Sequence, residues 1–408
     1  MTPDAAAAFS LLNAEAVRTR AHVLLGCGID DKLAHFRVDM ARLDATAELV
    51  LAVTREAYPT LDIPFHSRWR HFMRRGEDRW AILDQATSWP DKATRARAAF
   101  DLAIISVFLD AGAGPRWRYR DATGDSISRS EGLAIASLDM FAAGAFSARP
   151  REPLRADALQ HLQTEALTRG FQVTATNPLV GIAGRADLLR RLGATVAADP
   201  KIFAINDAPR PGGLFDHLAA LAENRTLEAA TILQELLRHL GPIWPSRLTL
   251  GGVALGDCWR HPAMKTTDAT NELVPLHKLS QWLAYSLIEP LQDYGIKVTA
   301  IDGLTGLAEY RNGGLFVDGG ILSLRDQSEG RREHDVASTL VVEWRALTVA
   351  LLDEIAVRLR TRLGMDADTL PLAKVLEGGT WAAGRRLAKE RRADASPPIR
   401  VASDGTVF

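Results

Sequence analysis

The sequence predicts a mainly α, multi-helical protein with a few short strands or hairpins. Apolar residues recur at intervals of three and four residues in several segments, which is the spacing of one face of an α-helix. Strand signals are weak, because alternation of apolar with small residues is confined to two short runs with glycines at their ends. No regular alternation of helices with strands occurs, which argues against a doubly wound sheet.

Residue types at the segment ends set the predicted helix boundaries. Ser10 suits an N-cap and Gly26 a stop for the first helix, and the Gly-Ala-Gly-Pro turn at residues 112–115 follows the third. The predicted helices are residues 10–25, 43–58, 93–110, 131–143, 155–169, 184–195, 226–240, 273–292, 335–362 and 371–391. The runs 247–255 and 314–324 suit short hairpins or loops, and an extended tail is expected from residue 393.

Length and composition are those of an ordinary globular protein. The chain has 408 residues, of which 47% are hydrophobic and 24% are charged. Such a chain can bury a sizeable hydrophobic core, and disorder is not expected. The formal net charge of -1 provides no electrostatic field for a polyanion, so no nucleic-acid partner is expected. A local basic pocket for one phosphate is compatible with this balance.

Compartment and domain organisation follow from a few further features. The most apolar segment, residues 102–109, is too short to cross a bilayer, and the start lacks a basic region ahead of an apolar stretch. Cys27 and Cys258 lie far apart, which suits reduced thiols. We therefore expect a cytoplasmic protein with no membrane partner. We expect an N-terminal helical region over residues 1–150 and a C-terminal one over 151–408 that carries the catalytic pocket, packed as one unit; the oligomeric state stays open.

Two segments rich in arginine, histidine and tryptophan are candidate pocket walls. They are residues 65–71 (Phe-His-Ser-Arg-Trp-Arg-His) and residues 257–261 (Asp-Cys-Trp-Arg-His). His66 and His71 are five residues apart, which departs from the i, i+4 spacing of a helical zinc pair. Structural hydrogen bonding is the simpler alternative, and a metal site is the least favoured. The common nucleotide-binding and nucleophile-elbow motifs are missing.

Polar residues interrupt apolar helices at three places between residues 277 and 345. Burying such charges is expensive unless they pair or meet a ligand, so three insertions within this stretch predict one pocket. For the pair inside residues 340–349, a structural ion pair is the competing interpretation. The polar residues concerned are His277, Lys278, Gln281, Asp302, Glu309, Tyr310, Arg311, Glu343 and Arg345.

Blocks spread over nearly the whole chain resemble a known family. Among them are DLAIISVFLDAGAGPRWRYR, LVPLHKLSQWLAYSLIEPL, EYRNGGLFVD and VVEWRALTVALLDE. They are similar to the family of the fourth protein of the reductant-independent uracil catabolic pathway, long catalogued as a domain of unknown function in fungi and bacteria. The resemblance implies a role in pyrimidine breakdown, where uracil is made into a nucleotide and its ring is opened. A ureido group on ribose phosphate then remains.

A more distant resemblance covers only the C-terminal third. Proteins that salvage queuine by hydrolysing queuosine 5′-phosphate carry a K-x-x-Q helix, an A-D-Y-R loop and an E-x-R helix in that order. Lys278 and Gln281 match the first element, and residues 343–345 (Glu-Trp-Arg) match the third. Residues 308–311 (Ala-Glu-Tyr-Arg) match the second, with a longer glutamate in place of aspartate. The resemblance implies a helical N-glycosidase with a DNA-glycosylase-like core.

Together the two resemblances imply an N-ribosyl hydrolase that cleaves ribosylurea phosphate to urea and ribose 5-phosphate. A carboxylate in a dry pocket would stabilise an oxocarbenium-like centre, and a cation would hold the phosphate. We expect Glu309 to face C1′, with Lys278, Asp302 and Glu343 as further catalytic residues. No metal or organic cofactor is expected. The expected substrate-binding residues are Arg311, Tyr310, Gln281, His277, Asp318, Arg345, Trp344, His66, Arg68, Trp259, Arg260 and His261.

Two alternatives belong to other functional classes. A metal-dependent ureido- or amidohydrolase acting on the same intermediate would need His66, His71, Cys258 and His261 to converge on one metal. A non-catalytic partner of a pathway enzyme would expose apolar patches, whereas this sequence places charges inside apolar helices.

Overall fold

The computed structural model describes residues 2–204, 208–244 and 248–402. Helices dominate these residues and the strands are short, so the predicted mainly α, multi-helical fold is confirmed. The DNA-glycosylase-like arrangement of its core stays a prediction. Among the described helices, none combines the length and the apolar character needed to span a membrane.

The helices follow the predicted order along the chain. In the first half they are α1 (Pro3–Phe9), α2 (Ala14–Ile29), α3 (Leu43–Ala57), α4 (Arg79–Ala86), α5 (Lys92–Phe108), α6 (Arg129–Ala142), α7 (Thr164–Gly170), α8 (Ile182–Ala198) and α9 (Pro200–Phe203). In the second half they are α10 (Gly213–Leu221), α11 (Ala229–Leu240), α12 (Lys278–Tyr294), α13 (Tyr310–Asp318), α14 (Thr339–Leu363), α15 (Leu372–Val375) and α16 (Trp381–Arg391). A π-helical turn, Leu376–Thr380, joins the last two.

The strands form only two-stranded ladders. The antiparallel pairs are β1 (Phe36–Val38) with β12 (Leu322–Leu324), β2 (Met73–Arg74) with β3 (Glu77–Asp78), β4 (Tyr119–Arg120) with β5 (Ser126–Ile127), β7 (Thr249–Leu250) with β8 (Val253–Ala254), and β9 (Cys258–Arg260) with β10 (Leu273–Pro275). The parallel pairs are β6 (Thr226–Glu228) with β11 (Lys297–Thr299), and β13 (Glu333–His334) with β14 (Arg400–Val401). These ladders tie loops to the helical body.

Several predicted boundaries were wrong, for local reasons. The first long helix starts after Asn13, whose side chain accepts from the N–H of Ala16, and it continues past Gly26. The predicted helix at 155–169 is reduced to α7, because residues 159–161 form a short 3-10 turn and the backbone is extended at Leu162 and Gln163 before α7 begins. The predicted helix at 273–292 begins at Lys278, since residues 273–275 form β10.

The two strand-like runs had different outcomes. Residues 249–254 form the β7–β8 hairpin as predicted, while residue 247 of that run lies outside the described residues. The prediction for 314–324 was wrong over most of its length, because Glu309 caps α13 and only β12 is extended. The tail from residue 393 contains β14, and its residues 403–408 lie outside the described residues.

One hydrophobic cluster runs through nearly the whole chain. It includes residues from Leu12 near the start to Ile399 near the end, so the regions 1–150 and 151–408 share a core. α14 packs against α2, α3 and α13, and α12 packs against α5 and α11. The helices that carry the polar insertions are therefore held inside a common core. The division at residue 150 stays a prediction.

Candidate active site

A cavity of about 430 Å³ lies where the two regions meet. The end of α5, the start of α6, the start of α12, the loop before α13, α16 and the tail all contribute to its wall. The polar and aromatic residues that line it are His66, His71, Asp110, Arg129, Ser130, Lys278, Trp282, Glu309, Tyr310, Arg311, Trp381, Asp394 and Ser396. The volume suits a small polar molecule.

Glu309 is a buried carboxylate on this wall. It is the N-cap of α13, and its two oxygens accept hydrogen bonds from the N–H groups of Arg311 at 2.7 Å and Asn312 at 2.6 Å. Burial raises the pKa of Glu309, while these two N–H groups and the charge of Lys278 act in the opposite direction. The helix N-terminus thus fixes the carboxylate in one orientation and favours its ionised form.

Lys278, the first residue of α12, carries the neighbouring cation. Its Nζ lies 6.0 Å from the centroid of the Trp282 ring. Burial lowers the pKa of Lys278, and the charge of Glu309 opposes that shift. No hydrogen bond or ion pair joins its ammonium group to any residue in ranges 2–204, 208–244 and 248–402. A half-buried ammonium group without such partners has its donors available for a ligand.

A second carboxylate, Asp110, lines the cavity at the end of α5. It accepts from the hydroxyl of Ser130 at 2.6 Å and forms an ion pair with the fully buried Arg68 at 3.0 Å. The Nδ1 atom of His71 lies 3.0 Å from both Ser130 Oγ and Arg68 Nη1. Burial, reinforced by the charge of Arg68, lowers the pKa of His71 to about 3, so this imidazole is neutral near pH 7.

Two arginines add positive charge to the wall. Arg129 begins α6 in a left-handed conformation with φ of 59°, and no ion pair within the described residues involves its side chain. Such a conformation is strained for a residue other than glycine and is found disproportionately at functional sites. Arg311 donates to the carbonyl of Ala395 at 2.9 Å, and its guanidinium lies 4.9 Å from the centroid of the Tyr310 ring.

His66 and Trp282 form an aromatic part of the wall. Their ring centroids are 6.4 Å apart with nearly parallel planes, and His66 Nδ1 lies 2.8 Å from a carboxylate oxygen of Glu377. The buried indole N–H of Trp282 has no hydrogen-bond acceptor among the described residues. It is therefore a donor that a ligand carbonyl can satisfy.

Behind the cavity lies a layer of fully partnered polar groups, which we call the support layer: Asp257, Gln281, Glu343 and Arg345. Arg345 forms two hydrogen bonds of 2.8 Å to the carboxylate of Asp257, which also accepts from the N–H of Lys278 at 2.9 Å. Arg345 further donates to the carbonyl of Ala308 at 3.2 Å. One buried ion pair therefore joins the backbone beside Lys278 to the backbone beside Glu309.

The other two members complete the support layer. Glu343 is fully buried and accepts from the N–H of Phe36 at 2.8 Å, and His261 Nε2 lies 3.1 Å from its other oxygen. Gln281 donates to the hydroxyl of Thr305 at 2.8 Å and thereby holds the loop that leads to Glu309. The predicted role of Glu343 at the reacting centre is not supported by this position, because neither Glu343 nor Arg345 lines the cavity.

Other predicted site residues also lie away from the cavity wall. Asp302 pairs with Arg360 at 2.5 Å and accepts from the N–H of Leu372, and Asp318 pairs with Arg392 beside a separate surface depression. Each of these carboxylates is already engaged by a cation. The remaining predicted residues outside the wall are Arg68, Trp259, Arg260, His261, His277 and Trp344.

Several of those residues have clear structural roles. Trp344 donates to the carbonyl of Gly313 at 3.1 Å. Its ring packs directly against Gly313, so any larger residue at position 313 would displace the ring. His277 Nε2 lies 2.9 Å from the carbonyl oxygen of Leu11. Arg260 is exposed to solvent. Trp259 is buried, and its indole N–H donates to the carboxylate of Asp257. Tyr310, Arg311, His66, Lys278 and Glu309 are the predicted residues that the structure brings together.

The four residues required by the metal-hydrolase alternative do not converge. His66 and His71 line the cavity, whereas His261 contacts Glu343 in the support layer and Cys258 is buried in the small cluster that packs under α1. Burial raises the pKa of the Cys258 thiol to about 12, so this sulfur is a poor metal ligand at neutral pH. Among the described residues, these four are not a metal set.

Asp110, Ser130, Arg129 and Trp282 line the cavity but were not among the predicted site residues. Asp110 follows the apolar run at residues 102–109 and lies two residues before the Gly-Ala-Gly-Pro turn. A carboxylate at a helix end beside a glycine-rich loop is a signal that could have found it, since both line the same cavity. Ser130 and Arg129 carry no comparable pattern.

Fold and cavity together define a class: a helical protein whose cavity for a small molecule has carboxylates and cations in its wall. The chain belongs to the family described as "Protein of unknown function (DUF1688)", which it matches over residues 10–408. It is 38% identical to "Protein urg3" of Schizosaccharomyces pombe over 98% of both chains. It is 35% identical to "Uracil catabolism protein 4" of Lachancea kluyveri over 92% of both chains. The predicted family membership is confirmed.

Proposed function

We propose that the protein is an N-ribosyl hydrolase of uracil catabolism that acts on ribosylurea 5′-phosphate. Water adds to C1′ of the ribose as the C1′–N bond breaks, which gives urea and ribose 5-phosphate. The pathway is supported by the name of the relative "Uracil catabolism protein 4", which aligns over nearly the whole chain. The reaction type is supported by the likeness of Lys278, Glu309 and their neighbours to the queuine-salvage motifs.

The observation that carries this proposal is the state of Glu309. Its carboxylate is buried on the wall of a cavity of suitable volume and fixed by two backbone N–H groups. Cleavage of C1′–N builds positive charge on the ribose ring, and a preorganised carboxylate stabilises that charge more strongly in a dry site than in water. Each oxygen of Glu309 keeps a lone pair for the ring or for a ribose hydroxyl.

A second carboxylate is needed to accept a proton from the attacking water, and we assign this role to Asp110. The sequence had pointed to Asp302 and Glu343 as catalytic carboxylates and to Asp318 as a substrate-binding one, but each of these is engaged away from the cavity. Asp110 is oriented by Ser130 and by Arg68. The proton acquired from water then neutralises the departing urea nitrogen, so atoms and charge balance.

The leaving group and the phosphate also have candidate partners. The indole N–H of Trp282, which lacks an acceptor among the described residues, is a donor for the urea carbonyl, and hydrogen bonding there makes urea a better leaving group. Arg129, whose side chain forms no ion pair within the described part of the chain, provides a guanidinium for the 5′-phosphate, to which it can form two parallel hydrogen bonds. Lys278 is left to supply a nearby positive charge, which favours the ionised form of Glu309.

The direct test is incubation of the purified protein with ribosylurea 5′-phosphate, followed by mass spectrometry of the products. We expect urea and ribose 5-phosphate in equal amounts. Reaction in ¹⁸O-labelled water should label the ribose 5-phosphate at C1′ and leave the urea unlabelled. Ammonia or carbamate in place of urea, or label in the carbonyl product, would overturn the proposal in favour of a ureidohydrolase.

A further inference from the structure

A second group of ligand-type side chains lies apart from the cavity, between α10 and α11. His217 on α10 meets Glu235 and His239, which are one helical turn apart on α11. His217 Nε2 lies 2.5 Å from Glu235 Oε2, and His239 Nε2 lies 3.2 Å from the same oxygen. None of the three lines the cavity, and the function proposed above does not use them.

The three side chains offer ligand atoms to a common point. Two imidazole nitrogens and one carboxylate oxygen lie within 4.8 Å of one another, the only such group among residues 2–204, 208–244 and 248–402. Zinc binds nitrogen and oxygen ligands at roughly 2.0–2.2 Å in tetrahedral geometry, so its ligand atoms are roughly 3.3 Å apart. The observed separations need only small side-chain adjustments to match. We propose that His217, Glu235 and His239 bind one zinc ion.

The surroundings of His239 support this assignment. Its second ring nitrogen, Nδ1, lies 3.0 Å from the carboxylate of Asp199, which directly follows α8. Ligating histidines usually donate their other N–H to a carboxylate, which fixes the tautomer and leaves Nε2 free to bind the metal. His239 already has this arrangement. Asp199 is thus a positioning residue of the zinc site.

Access and charge are also compatible with an ion. The side chains of His217 and His239 are 19% and 15% exposed, while Glu235 is 8% exposed, so a fourth position faces solvent for a water ligand. Arg238 lies 3.5 Å from Oε1 of Glu235, the oxygen that does not face the histidines, and its side chain is half exposed. It can therefore turn away when the ion binds.

Zinc at this point has a structural consequence. It joins α10 to α11 and, through Asp199, to the end of α8. Helix α11 packs against α12, whose first residue is Lys278. The ion would therefore stabilise the packing of α10 and α11 behind α12. Because this role is structural, one zinc per chain would be compatible with a hydrolase that uses no metal in its chemistry.

The test measures zinc binding to the full-length protein, from which a chelator has first removed bound metals. Zinc is titrated by isothermal calorimetry, and the metal content of the reloaded protein is measured by mass spectrometry; magnesium serves as the control ion. We expect one zinc per chain in the wild type and in His66→Gln, and a loss of this zinc in His217→Gln and His239→Gln. Wild-type protein that binds no zinc, or zinc that is lost only in His66→Gln, would overturn the proposal.

A second variant keeps the test decisive if a ligand substitution prevents folding. Asp199→Asn retains all three ligands and weakens only the orientation of His239, so we expect roughly tenfold weaker zinc binding. Zinc should also raise the Tm of the wild type and leave that of His239→Gln unchanged. Unchanged zinc affinity in Asp199→Asn contradicts the arrangement. Neither readout depends on turnover of ribosylurea 5′-phosphate, so this proposal and the proposed function can fail separately.

Discussion

The cavity wall and the support layer are built from the same polar residue types, yet they differ in how those groups are partnered. In the support layer, Asp257 and Arg345 meet through two hydrogen bonds of 2.8 Å, and Glu343 is enclosed by donors. On the wall, Lys278 has no ion partner among the described residues and Glu309 keeps lone pairs free. Partnered charges hold the backbone in place, and unsatisfied ones mark where a ligand binds.

The largest effect should come from the wall. Glu309→Gln keeps the shape of the side chain but removes the negative charge opposite C1′, so we expect kcat to fall by roughly 10³-fold. The Tm should fall moderately, because the glutamine oxygen still accepts one cap hydrogen bond while its NH2 group faces the other backbone N–H. Release of urea is measured, with the exposed Glu165→Gln as the matched control. Equal turnover by Glu309→Gln and Glu165→Gln would show that Glu309 takes no part in the reaction.

The corresponding substitution in the support layer should act on stability. Arg345→Met leaves the carboxylate of Asp257 buried without its cation, and we expect the free energy of unfolding to fall by about 3–5 kcal/mol. Denaturant titration measures this loss. The double variant Arg345→Met with Asp257→Asn should recover part of it, since no uncompensated charge remains. A single variant that unfolds at the wild-type denaturant concentration contradicts the role given to this pair.

Lys278→Met tests a cation of the cavity wall whose backbone N–H is bound by Asp257 of the support layer. The substitution removes the ammonium group and keeps most of the apolar stem, so we expect kcat/KM to fall by roughly 10- to 100-fold. The folded state should tolerate it, because no ion pair of the described residues is broken. Steady-state kinetics beside Lys278→Arg, which restores the charge, separates charge from shape. Equal losses in both variants would indicate that the charge is not what matters.

Arg129→Gln should have a selective effect. We expect KM for ribosylurea 5′-phosphate to rise roughly tenfold, because one charge-assisted contact to the phosphate is lost. Turnover of unphosphorylated ribosylurea should be unchanged. The ratio of kcat/KM for the two substrates measures this selectivity. An equal loss on both substrates would assign Arg129 to the ribose or to the fold.

The smallest effect is a displacement of the pH profile. Burial raises the pKa of Glu309, so activity should be lost on acidification at a pH above the ordinary value of 4.5, as the carboxylate takes up a proton. Burial lowers the pKa of Lys278, so the alkaline loss should begin below the ordinary 10.5. The profile of kcat/KM with unphosphorylated ribosylurea, which has no titrating phosphate, measures both limbs. Lys278→Arg should move the alkaline limb upward.

The sequence was sufficient for the helical class, because long segments such as α5 and α14 are apolar on nearly all sides over much of their length, as in helices buried in a core. It was insufficient for α13, where a glycine pair suggested a turn and the decisive interaction is a single N-cap by Glu309. The three polar insertions were predicted to line one pocket, whereas Glu343 and Arg345 of the last insertion lie outside the cavity wall. Their division between wall and support layer depends on partners such as Asp257, which lies 88 residues from Arg345.

Asp110 and the zinc candidates show the same dependence on the fold. Asp110 lies next to Arg68 and Ser130, and no periodicity connects these residues along the chain. His217 is 18 residues from Glu235 and comes from a different helix, so no ligand motif appears in the sequence. Sites of this kind are set by helix packing, and a single sequence does not specify which helix faces meet.

The segment that follows α16 closes the cavity from a distance along the chain. Residues 394–397 line the cavity, Ile399 belongs to the hydrophobic cluster, and β14 pairs with β13. Glu309 and Lys278 lie at the starts of helices far earlier in the sequence, yet the wall around them is complete only when this segment is packed against the helical body. Any change that loosens the pairing of β14 with β13 would therefore open the cavity without touching a residue of α12 or α13.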